Sequence, residues 1–192
     1  MQRGAGQLGI ISGGLVLKYT VAYFAALFFA LSTLTVYADS LSVAGGAKLT
    51  ASTLELNENT VIAKGNASLS TREASIKANT IRLNLEKGKG GKLGLSKALA
   101  TGRVVINASQ VDAATKARRT VDATAENASM AQDADTVLLT GKVFVKVSDP
   151  QFAEPATIAG ERVVVYLKER KIQVEGGSNK SAEINVTPRE GE

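Results

Sequence analysis

The sequence holds no cysteine, no histidine and no tryptophan. Without cysteine there is no disulfide framework and no thiolate chemistry. Without histidine the chain lacks the commonest general base and the commonest metal ligand. Zinc enzymes and Ser-His-Asp triads are thereby excluded. No carboxylate or Ser-Lys constellation stands in their place, so no catalytic residue, metal ligand or cofactor is expected. Aromatic residues make up only 5% of the chain, which leaves little to stack nucleic-acid bases on. Net charge is +5, from 23 basic and 18 acidic residues, too mild and too dispersed for a nucleic-acid partner.

What is present begins with an address. Arg3 and Lys18 precede an apolar run from Tyr19 to Leu31, and no acidic residue occurs before Asp39. Val36-Tyr37-Ala38 supplies small residues where a signal peptidase reads them. A charged start, a short apolar centre and a small-x-Ala ending predict a secretory signal peptide over 1–38, cleaved after Ala38. The apolar run falls short of the roughly 20 residues that span a bilayer. Extended through the Ser/Thr-rich stretch after it, the same segment reads as an uncleaved N-terminal anchor. Either way residues 39–192 lie outside the cytoplasm and form one domain, with helix confined to the leader. The tail from about 177 is polar and is expected to be partly disordered, fraying from about Pro188.

The domain repeats itself. Val61-Ile-Ala-Lys-Gly65-Asn-Ala-Ser-Leu69, Ala98-Leu-Ala-Thr-Gly102-Arg-Val-Val-Ile106 and Val137-Leu-Leu-Thr-Gly141-Lys-Val-Phe-Val145 align on a glycine, with an echo at Ile172-Gln-Val-Glu-Gly176. Residues two and four positions either side of each of the first three glycines are apolar. That period of two predicts strands with one buried face, bent at the glycine. Between the glycines, Leu49–Leu56, Ile76–Leu85, Val121–Ala128 and Ile158–Leu167 also alternate, but their phase slips by one, as at a bulge or corner. Each unit is expected to hold two to four short strands. Copy one fills the inward row with Ala and one Leu, copy three with Leu and Val, a taper that leaves room for a ligand at one end. The fold class is all-β, as a solenoid, a jelly roll or a sheet folded over on itself.

Loops are expected at Glu86–Lys92, Gln110–Thr120 and Ser148–Pro155. Lys87-Gly-Lys-Gly-Gly-Lys92 lacks the phosphate-loop pattern and reads as a solvated hairpin. Arg118-Arg119 suits lipid phosphates, though a solvated loop accounts for it as well. The Asn-x-Ser/Thr sites at Asn66, Asn107, Asn127, Asn179 and Asn185 mark glycosylation only in a eukaryotic secretory path; in an envelope protein of bacterial type they are incidental polar positions.

Leu139-Thr-Gly-Lys-Val143 and the long run from Ile158-Ala-Gly-Glu-Arg-Val163 to Ile172-Gln-Val-Glu-Gly176 resemble the phrases of the OstA-like family of lipopolysaccharide transport proteins. Thr101-Gly-Arg-Val104 and Lys64-Gly-Asn-Ala67 are degenerate copies, so the likeness covers Leu49 to Gly176. One departure is Leu49-Thr-Ala51-Ser52, where the family has an acidic opening. The resemblance implies a β-jelly roll whose groove shields the acyl chains of lipid A. It also implies edge-to-edge self-association and a periplasmic bridge from an LptC-like inner-membrane anchor to an LptD-like outer-membrane insertase, for outer-membrane assembly. The groove residues it selects are Ala63, Leu69, Leu83, Val104, Ile106, Leu139, Val143, Val145, Val163 and Val165, which in any β protein are also core. The alternatives are a membrane-anchored, LptC-like component of the same pathway and a polymerising β-solenoid that binds no ligand.

Overall fold

The computed structural model describes residues 9–11, 42–43, 47–87, 93–111, 116–131, 136–166, 171–178 and 181–187. Apart from β1, the expected leader lies outside them, as do most of the glycine-rich link and the far tail. All the regular structure described is strand: β1 (Gly9–Ile11), β2 (Ser42–Val43), β3 (Ala47–Thr50), β4 (Thr53–Asn57), β5 (Thr60–Ser70), β6 (Ala74–Lys87), β7 (Leu93–Val111), β8 (Arg118–Ala131), β9 (Thr136–Ser148), β10 (Ala156–Tyr166), β11 (Lys171–Glu175) and β12 (Glu183–Asn185). They form one antiparallel sheet in the order β1-β11-β10-β9-β8-β7-β6-β5-β3-β2, with β4 on β5 and β12 on β10.

Two expectations need correcting. The repeat units hold two long strands each, not several short ones: β5 to β10 run from 11 to 19 residues, well beyond the usual five or six. A bulge bends a strand without ending its ladder, so the phase slips read as breaks are interior to continuous strands. The basic stretch Gln110–Thr120 is also mostly strand, since β7 runs to Val111 and β8 starts at Arg118. The turn from Asp149 to Pro155 falls where turn chemistry put it.

The glycines explain the length. Gly65, Gly102 and Gly141 have φ of 78°, 78° and 79°, and the residues after them, Asn66, Arg103 and Lys142, have φ of 49°, 51° and 49°. Two successive left-handed residues in β5, β7 and β9 face a single residue on the strand alongside, which shifts the register by one at each site. These bulges line up across the sheet as a crease. The crease divides the sheet into two leaves. The first carries β4, the Thr60–Lys64 part of β5, Thr80–Lys87 of β6 and their partners out to β11. The second carries β3, Ala67–Ser70, Ala74–Ala78 and their partners out to β12. At both ends each leaf has its own edge strand.

The leaves fold together on their apolar faces. One contiguous core unites Val61, Leu83, Leu139 and Val165 of the first leaf with Leu69, Ile106, Val121 and Val145 of the second. Beyond the second leaf's rim, the turn after β9 brings Phe152 into that core. Asp149 holds the turn: its Oδ1 accepts from the Gln151 N–H at 2.9 Å, and its Oδ2 lies 2.9 Å from Nε of Arg119. Ala153 N–H donates to the Thr187 carbonyl at 2.9 Å, tying the turn to the C-terminal segment, where β12 pairs with β10.

Candidate functional site: the interior between the leaves

Paired residues in an antiparallel sheet share a face, so the register lays out the interior in rows. Nearest the crease in the first leaf runs Leu54–Ala63–Ile81–Ala100–Ala128–Leu139–Val163–Val174. The next row is Leu56–Val61–Leu83–Ala98–Met130–Val137–Val165–Ile172. Opposite, the second leaf presents Leu49–Leu69–Ile76–Ile106–Ala123–Val145–Ile158–Ile184. No charged residue enters any of these rows.

All ten residues selected from the sequence are buried on the inner faces. Ala63, Leu83, Leu139, Val163 and Val165 belong to the first leaf, and Leu69, Val104, Ile106, Val143 and Val145 to the second. Only Leu69 and Ile106 of the ten line the interior cavity, a space of about 30 Å³ whose exposed surface is wholly apolar. It is completed by Ile76 from the second leaf and by Ile81, Ala98, Ala100, Ala128, Met130 and Val137 from the first, with Leu99 and Ser129 beside them. Residues from both leaves around one cavity show that the sheet has closed on itself.

Sequence reasoning missed two parts of this site. The small side chains expected to leave room were those of copy one, whereas the alanines that line the cavity are Ala98, Ala100 and Ala128, gathered on the first leaf across from Leu69, Ile76 and Ile106. Leu54 and Leu56 share the inner face with Ala63 and Val61 yet are 44% and 52% exposed. They form an open apolar lip at the β4 end. Their position on an edge strand is set by pairing, which alternation does not report. At the opposite end Val165, Ile172 and Val174 are covered, with β1 (Gly9–Ile11) of the expected leader paired along β11.

A sheet creased into two leaves around an apolar interior, open at one end, is a folded-over antiparallel β-sheet of the jelly-roll kind. Residues 48–171 match the family model described as LptA/(LptD N-terminal domain) LPS transport protein. The chain belongs to that lipopolysaccharide transport family. No curated protein matches the chain in sequence. Among solved structures it is similar to LptH of Pseudomonas aeruginosa, described as the LptA-homologous periplasmic component of the conserved lipopolysaccharide transport device. The TM-score is 0.53 at 13% identity, over 75% of this chain and 95% of that one. At that identity the likeness concerns the fold, and the all-β, OstA-like jelly roll that the family resemblance implied is the fold observed.

Proposed function

We propose that this protein is a periplasmic lipopolysaccharide carrier that shields acyl chains between its two leaves and works without a chemical step. The observation that supports this reading best is the apolar interior with its open lip at Leu54 and Leu56, in a chain of a lipopolysaccharide transport family. Burying one CH₂ is worth about 0.8 kcal/mol, so a multi-acyl lipid does not cross water unaided. A row of aliphatic side chains offsets that cost and, being unselective along its length, lets the lipid move on. LptH, the similar structure, is described as a periplasmic component of that transport device, which supports the same compartment here. Export by the leader, with cleavage after Ala38, belongs to this reading.

The two ends of the sheet support a bridging role. Short strands, β2 and β4 at one end and β12 at the other, present backbone groups for strand addition, and removal of the leader that carries β1 frees the edge of β11. Copies stacked end to end then join an LptC-like inner-membrane anchor to an LptD-like outer-membrane insertase. The full chain, isolated as cells process it, is expected to bind purified lipopolysaccharide saturably and to have an N-terminus at Asp39 by mass measurement. Failure to bind lipopolysaccharide or lipid A under any loading condition contradicts the carrier reading. An intact Met1 favours the anchored relative.

A further inference from the structure

Resting on the carrier reading, we infer that an acyl chain seats in the β6–β8 section, at the alanine-lined cavity, by parting of the leaves about the glycine crease, while the β9–β11 section stays shut. The closed interior does not hold such a chain as it stands: about 30 Å³ is on the scale of two water molecules. The leaves must therefore move to admit one, and the structure is uneven in what resists that movement.

From β9 to β11 the inner face carries branched side chains packed to completion. Leu139 and Val165 are 0% exposed, and no buried apolar residue of this section's inner face exceeds 4%. Phe152 joins the core beside it, anchored through Asp149 and Arg119. From β6 to β8 the first leaf presents Ala98, Ala100 and Ala128 to the interior, and residual exposure among the buried apolar residues is highest there, reaching 9% at Ala98 and 8% at Ile76. Each alanine side chain gives up less contact than a valine or leucine when surfaces separate, because dispersion and burial scale with the atoms removed from contact. The first-leaf row also leads without interruption from the exposed Leu54 through Ala63 and Ile81 to Ala100. A chain admitted at the lip passes β5, where Val61 and Ala63 are 0% exposed, and then reaches the alanine-lined section before the filled one.

The crease is built to turn. At Gly102-Arg103 two left-handed residues stand against Glu126 alone on β8, and the register also shifts by one against β6, so the ladder is locally released and the bend rests on a few backbone dihedrals. The crease residues face Asn79 and Glu126, polar side chains on the solvent side, and not the core. Rotation there uncovers no buried apolar surface of its own.

The absence of native cysteine makes spin labelling selective. One doubly labelled protein carries Lys97→Cys and Asn107→Cys, five residues either side of Gly102 on β7; another carries Thr136→Cys and Lys146→Cys, five either side of Gly141 on β9. All four sites face outward. Inserting one layer of carbon atoms between packed surfaces adds about 4 Å. On loading with purified lipopolysaccharide, the 97/107 separation is expected to lengthen by about that amount and the 136/146 separation to stay constant. Lipid bound with both distances widening together, or with neither changing, overturns the inference and leaves the carrier reading standing. Absence of lipid binding overturns both.

Discussion

Gly102 sits at φ 78°, and a methyl group there meets the Asn79 side chain at 2.6 to 2.9 Å, its Cβ included. A left-handed conformation costs a side chain roughly 1–2 kcal/mol before any clash. Gly102→Ala is therefore expected to destabilise by about 2 kcal/mol, read as a lower urea midpoint at unchanged slope. Arg103 bears the same conformational cost in the native protein. Arg103→Gly relieves it and adds about 0.5–1 kcal/mol of unfolded-chain freedom, so stability is expected to hold or rise. The reverse ranking of these two variants contradicts the account of the crease. The glycines were visible in the sequence as bends, but Arg103 and Lys142 were not: on an alternating strand nothing marks them as left-handed, and only Asn66 has a side chain with that habit. The alanines were visible but undervalued, because periodicity scores them as small apolar residues and says nothing of what faces them across a fold.

At the scale of the element, the strands are held by interior packing and by one buried charge pair. Asp149 is wholly buried at the side chain, and its Oδ2 lies 2.9 Å from Nε of Arg119. Asp149→Ala removes both the Arg119 contact and the acceptor of the Gln151 N–H, so it is expected to cost about 1–3 kcal/mol. Lys142, 3.5 Å from Glu126 with both side chains mostly exposed, is expected to contribute less than about 1 kcal/mol, measured as Lys142→Ala. Leu139→Ala, in the filled section, is expected to cost about 2–5 kcal/mol. A denaturation series in which the two charge variants lose equal stability counts against the turn as the anchor of Phe152. Alternation gave the element type and the inward phase throughout β5 to β10. It did not give the strand lengths, because a bulge and a strand end look alike in a hydrophobic pattern. Nor did it give β12, whose three residues Glu183–Asn185 pair through backbone in a segment with polar composition.

At the scale of the whole molecule, the crease makes two leaves from one sheet, and the leaves make both an interior and free ends. The all-β class followed from three glycine-centred copies in order, which left a solenoid, a jelly roll and a folded-over sheet open, and the family resemblance chose among them. How closely the leaves approach did not follow, because facing distance is a property of two copies and not of one. Edge strands at both ends predict association that grows with protein concentration, checked by sedimentation. A protein that stays monomeric at every concentration removes the support for end-to-end bridging.

The central claim, that lipid lies against the inner face, is tested most directly at neighbouring residues on opposite faces of β4. A photo-crosslinking residue is placed at Leu56, on the exposed inner lip, or at Glu55, on the outer face beside Lys64. In cells making lipopolysaccharide, the label at 56 is expected to capture the lipid and the label at 55 to miss it. Lipid adducts that are absent at 56, or equal at the two positions, contradict the claim.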